Sequence, residues 1–297
     1  MIARTLIHLL LLLGLSPLLA GIITRVKAII AGRRGAPLLQ IYYDIVKLLQ
    51  KDMVLSRTTT WVFRAGPVLA VAVPLLACLL IPFGPLQAPV SFAGDFVLFA
   101  YLFGLSRFFT VLAALDTGSS FEGMGAAREA TFSCLAEPTL FIVFMVLTRL
   151  SGTLSLNGML SSDSSGVSLF LATVCLFVIL LVENCRIPFD DPTTHLELTM
   201  IHEVMVLDHS GPDFGLILYG AAMKLFVLGA LFTNIVLPVS TGNIAVNTAI
   251  FIGFMLGLAA CIGLVESAMA RLQMVRIPQL LVGTSLLSFF SFILLLR

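Results

Sequence analysis

Charge is what this sequence has least of. Only 11% of its 297 residues are Asp, Glu, Lys or Arg, against about 25% in an ordinary soluble domain. Cysteine is sparse as well. Cys78, Cys134, Cys175, Cys185 and Cys261 form no CxxC pair. That argues against a disulfide framework and against an iron–sulfur cluster held by this chain alone, and they read as buried small hydrophobes. The net charge is +1, and no basic patch carries interleaved aromatics, so nucleic-acid binding is set aside. The P-loop and dinucleotide glycine spacings are missing. No serine or cysteine sits in a nucleophile elbow. No internal repeat supports an inverted-repeat transporter.

What is present is apolar, at 59% of residues, and it lies in long runs. A bilayer-crossing helix needs roughly 20 apolar residues. Eight runs meet or approach that length: 5–23, 65–83, 95–115, 131–149, 167–183, 215–237, 244–265 and 278–296. The expected fold is an all-α integral membrane protein of eight spans in a single membrane domain. The connecting segments 24–64, 116–130, 184–214 and 266–277 hold Arg25, Lys27, Arg33, Arg34, Lys47, Lys51, Arg57, Arg64, Arg128, Arg186, Arg271 and Arg276. The other side holds only Arg4, Arg149 and Arg297. This imbalance puts the basic segments in the cytoplasm and both termini outside. It also argues that the first run is a retained helix rather than a cleaved signal.

GRRGAPLLQIYYDIVKLLQK follows the first run. Leu38, Ile41, Tyr42, Ile45, Leu48 and Leu49 recur at helical spacing opposite Gln40, Asp44, Lys47 and Lys51. This predicts an amphipathic helix lying along the membrane surface. Two cations remain inside the spans, Arg107 and Lys224. A charge at a helix centre costs at least ~2.5–3.5 kcal/mol, so each needs a partner. Glu137, Glu183 and the acidic loop are the partners at hand, and a polar proton or ion path is the expectation. The segment DTGSSFEGMGAARE, with Asp116, Arg128 and Glu129, reads as a turn-rich connection with glycines at Gly118, Gly123 and Gly125.

Ionisable groups concentrate in ENCRIPFDDPTTHLELTMIHEVMVLDHSG, residues 183–211, which holds six of the 16 carboxylates and three of the four histidines. Asp191–Pro192 reads as a helix start, with the helix running to about residue 207. His195, His202 and His209 recur every seven residues, about 10 Å along such a helix. That is too far apart to share one ion, so no metal site is expected. A cluster of titratable carboxylates at the mouth of the bundle remains.

Several of these stretches together resemble one family. ENCRIPFDDPTTHLELT, with Glu183, Arg186, Pro188, Phe189, Asp190, Glu197 and Leu198, is similar to the acidic loop of the ND1-type subunit of complex I. LDTGSSFEGMGAARE, GRRGAPLLQIYYDIVKLLQK and ESAMARLQMVRIPQLL, with Glu266, Arg271, Arg276 and Pro278, look like three further segments of that family. The stretch ELTMIHEVMVLDHSG is a few residues longer than in quinone-reducing members. In this it resembles the membrane subunit of group 4 membrane-bound [NiFe] hydrogenases, the formate hydrogenlyase type. The resemblance implies a subunit that binds no cofactor or metal itself. It would dock peripheral subunits carrying iron–sulfur clusters and a NiFe centre, and relay proton movement to antiporter-like membrane subunits in the cytoplasmic (inner) membrane. A quinone-site subunit of an NADH or ferredoxin–quinone oxidoreductase is the alternative. The groups implied for the proton path are Glu129, Glu137, Glu183, Asp190, Glu197 and Glu203, with Arg107, Asp116, Arg186 and Lys224 beside them. Arg33, Arg34, Asp44, Lys47, Arg128, Arg271 and Arg276 are the docking candidates.

Overall fold

The computed structural model describes residues 2–161, 166–190, 200–237 and 243–296. Its helices are α1 (Ile2–Ile30), α2 (Gln40–Leu49), α3 (Trp61–Ala77), α4 (Asp95–Asp116), α5 (Ser120–Ser151), α6 (Leu156–Leu160), α7 (Val167–Glu183), α8 (Gly211–Val236), α9 (Ile244–Ala268) and α10 (Arg276–Leu294). No strand occurs among the described residues. Six of these helices, α1, α4, α5, α8, α9 and α10, are long and apolar enough to cross a bilayer; α3 and α7 are shorter apolar helices. Each coincides with one expected run. The protein is an all-helical, membrane-embedded chain.

The boundaries correct the hydropathy reading in three places. α1 continues past residue 23 to Ile30. It ends where Gly32, at φ +67°, lets the Arg33 N–H reach Ala28 O at 2.9 Å and the Gly32 N–H reach Ile29 O at 3.0 Å, a left-handed helix stop that favours glycine. α5 begins at Ser120, so most of the expected 116–130 connection is helix. Only Gly118, at φ +72°, makes the turn. The expected helix up to residue 207 is, over its described part, a single 3-10 turn, Glu203–Val206. Asp191, His195 and Glu197 lie outside the described residues.

Gly125 is helical and shows why the 200–206 segment hugs α5. A Cβ there would meet Val204 Cγ1 at 2.4 Å and Ile201 O at 2.9 Å. One contiguous apolar core runs through α1, α3, α4, α5 and α7–α10. Within it α3 packs between α4 and α8, α1 lies on α8 and α9, and α10 lies on α5 and α7. The amphipathic α2 lies across α1 and α8. It buries Ile45, while Leu38 and Leu49 face outward.

Candidate functional site

The site is assembled by charge pairing across helices. Arg107, on α4, has a side chain only 9% exposed. Its Nη1 donates to Glu137 on α5 and its Nη2 donates to Glu183 at the end of α7. Its Nε lies 3.2 Å from Glu129 Oε1, one turn and more before Glu137 on α5, without a hydrogen bond. The other Glu183 oxygen lies 2.8 Å from Lys224 Nζ on α8. Lys224 also stands 5.8 Å from the centre of the Phe103 ring, a favourable cation–π position. Four helices therefore meet at one arginine and one carboxylate. The sequence expectation that Arg107 and Lys224 need Glu137 and Glu183 holds in the geometry. Glu137 is the outward end of this network, with 45% of its side chain exposed, whereas the Glu183 side chain is 6% exposed.

A second group was not anticipated as a site. Glu266, on α9, is fully enclosed; Lys27 Nζ lies 2.9 Å from its Oε2 and Arg186 Nη1 3.5 Å from its Oε1. Its signal in the sequence is a lone carboxylate at the end of an apolar run. Lys27 joins it because α1 is longer than hydropathy indicates. Glu122 was also missed. It is buried and accepts from the Asp208 N–H at 3.1 Å.

Other expected site residues hold the chain together. Asp190 pairs with Arg271 at 2.9 Å and accepts the Ile201 and His202 N–H groups, each at 3.1 Å. Arg128 donates to the Met200 carbonyl at 2.8 Å. Asp116 is not brought to Arg107. It accepts the Thr60 N–H at 2.6 Å and the Thr60 hydroxyl at 3.0 Å, tying the start of α3 to the end of α4. Asp44 accepts from Gln40 at 2.9 Å. Arg33, Arg34, Lys47 and Arg276 are exposed. His209 stacks on Phe63 with centroids 3.9 Å apart, and burial lowers its pKa to about 4.

A cavity of about 350 Å³ joins these groups. Its floor includes Arg107, Glu129, Glu183, Lys224 and Glu266, and Glu203 and His202 also line it. Its opposite wall comes from α1, α2 and α3, including Ile23, Ile41 and Ala70. At its rim α7 stops with the same hydrogen-bond pattern as α1. The Arg186 N–H reaches Leu181 O at 2.9 Å and the Cys185 N–H reaches Val182 O at 3.0 Å. Here the left-handed position, φ +50°, is occupied by Cys185, where glycine would avoid a cost of roughly 1–2 kcal/mol. Burial, then the nearby Glu129 and Asp190 charges, pushes its thiol pKa well above the usual range. Of the five cysteines, Cys78 and Cys175 are buried as expected, while Cys134 and Cys261 are exposed.

Comparison with known proteins places this architecture. The NADH dehydrogenase family model matches residues 3–296. The chain belongs to the NADH dehydrogenase family. It is 30% identical to formate hydrogenlyase subunit 4 of Escherichia coli, over 98% of this chain and 97% of that protein. It is 32% identical to hydrogenase-4 component C of the same organism, over 76% and 72%. It is 28% identical to a membrane-family relative from the NADH-quinone oxidoreductase of Syntrophotalea carbinolica, over 80% and 74%. In fold it resembles a chain of the membrane-bound sulfane sulfur reductase, an archaeal respiratory membrane complex, with a TM-score of 0.86, 21% identity and 99% of each chain covered. The expected resemblance to the ND1-type family and to its hydrogenase branch is borne out.

Proposed function

We propose that this chain is the membrane-anchor and proton-coupling subunit of a membrane-bound respiratory [NiFe] hydrogenase complex. It docks the hydrophilic redox module at the basic, loop-rich end of the bundle and passes its energy to antiporter-like subunits. The observation that carries this reading is the ion network running from enclosed Glu183 through Arg107 to half-exposed Glu137. A charge change in a docked redox module would act first on the cavity-lining groups. Arg107 links those groups to Glu137, where a neighbouring membrane subunit could receive a proton or a field. Full-length similarity to formate hydrogenlyase subunit 4 supports the hydrogenase branch. The partner subunits would carry the iron–sulfur clusters and the NiFe centre, and the assembly would sit in the cytoplasmic membrane with both termini outside.

The test has two parts. A tagged chain is purified with its partners in mild detergent, and nickel and iron are quantified. Proton translocation coupled to hydrogen evolution is then measured in vesicles from a Glu137→Gln strain. Nickel in the complex, with coupling lost and hydrogen evolution retained, is expected. Normal coupling in a fully assembled variant would overturn the role given to Glu137.

One observation favours a second reading. The cavity has an apolar wall beside α1 and α2 and a charged floor, which suits an amphiphilic ligand such as a quinone. A complex containing flavin and no nickel would select this reading.

A further inference from the structure

Three side chains of different chemistry converge at the cavity rim. Glu129 comes from α5, Cys185 from the turn closing α7, and His202 from the residue before the 3-10 turn. One ligand atom from each lies within 4.8 Å of the others. This is the one such group of three among the described residues. We propose that Glu129, Cys185 and His202 form a binding site for a zinc-class divalent cation, with the fourth position open to the cavity. The inference does not rest on the function proposed above.

Three observations converge on it. First, the donor set is thiolate, imidazole and carboxylate, which suits a borderline-soft tetrahedral ion. Tetrahedral donors about 2.0–2.3 Å from zinc stand roughly 3.5 Å apart, so side-chain rotation of about an ångström closes the shell. Second, the donors are uncommitted. His202 Nδ1 is buried without a hydrogen-bond partner. Cys185 has no disulfide. Arg107 Nε approaches Glu129 at 3.2 Å without a hydrogen bond. Third, charge favours a dication. The charged cavity lining, together with its ion-pair partners Glu137 and Arg271, comprises Asp44, Glu129, Glu137, Glu183, Asp190, Glu203 and Glu266 against Lys27, Arg107, Arg186, Lys224 and Arg271. Seven carboxylates face five cations. A bound Zn²⁺ takes up that excess, and the Cys185 thiol proton leaves to solvent as the thiolate coordinates.

The backbone at Cys185 supports the same assignment. The position favours glycine, yet it holds a thiol aimed at the rim, and strained residues concentrate at functional positions. It also supplies a clean variant, because Cys185→Gly suits the left-handed turn.

The experiment is zinc X-ray absorption on the full chain in detergent, loaded with one equivalent of Zn²⁺, with affinity measured against a competing chelator dye. One sulfur at about 2.3 Å and nitrogen or oxygen at about 2.0–2.1 Å are expected. Cys185→Gly should remove the sulfur and weaken binding about 100-fold, a loss of the size seen when metal sites are disturbed. Cys134→Ser should change neither. A zinc shell without sulfur, an unchanged shell in Cys185→Gly, or no binding by the unaltered chain overturns the site. Should Cys185→Gly fail to fold, the shell of the unaltered chain decides alone.

Discussion

Replace Glu183 with glutamine and, separately, Glu137 with glutamine, and the two variants should part company. Both carboxylates bind the same arginine. The Glu183 side chain is 6% exposed and also faces Lys224. Removing its charge leaves two enclosed cations without their shared anion. Breaking a buried pair in this way costs about 3–5 kcal/mol. The Glu137 side chain is 45% exposed, so solvent screens its pairing, and the loss there is about 0–1 kcal/mol. Unfolding of the purified chain in mixed micelles, with denaturing detergent as the perturbant, reads both. A double variant Arg107→Met with Glu183→Gln should be less destabilised than the sum of the singles, by roughly 0.5–3 kcal/mol, because the pair is lost once. Equal, small losses in Glu183→Gln and Glu137→Gln, with additive doubles, would refute the picture of an enclosed network. The same contrast makes Glu137→Gln the informative variant for coupling: a functional defect there is not explained by unfolding.

His209 provides a pH test. Its folded pKa is lowered to about 4, from 6.5 in the unfolded chain, so the unfolded state binds more protons between these values. Stability should be unaffected above pH 6.5 and fall as pH drops toward 4, by at most roughly 3 kcal/mol. His209→Phe, which keeps the stack on Phe63, should flatten that window in a melting series, and an unchanged profile would assign the dependence elsewhere. Gly125→Val should drive a side chain into Val204 and Ile201 and cost about 1–3 kcal/mol by overpacking; faster hydrogen exchange across 200–206 is the readout. Glu266→Gln should strand Lys27 and Arg186 and lower the melting temperature, while Glu266→Asp should restore part of it. Reporter fusions at residue 297 should be active outside the cytoplasmic membrane and those at residue 50 inside, as the basic loops require.

The apolar runs located the helices because bilayer-length hydrophobicity is a property of composition. α7 matched its expected limits at Val167 and Glu183. Hydropathy failed where helix continues beyond the greasy stretch, as in the first turns of α5 and the last turns of α1. Those residues are polar yet hydrogen-bond as helix. The need of Arg107 and Lys224 for partners was legible, since an unpaired charge in that setting is costly. Which carboxylate each takes was legible only in part, because Glu137 and Glu183 lie 30 and 76 residues from Arg107. Asp116 looked like a member of the network, and its capping of Thr60 depends on how α3 meets α4. The rim trio could not be read from spacing at all. Glu129, Cys185 and His202 are far apart in the chain, and the left-handed turn at Cys185 has no glycine to announce it.

Glu183 divides its two oxygens between cations on different helices, and this has a mechanical consequence. The carboxylate is a tether with α4 held at one end and α8 at the other. A single proton placed on it would slacken both ends at once and leave two positive charges facing each other across the gap. The force that then separates α4 from α8 is directed sideways, in the plane of the bilayer. That is the direction in which a helix can push on a neighbouring membrane subunit.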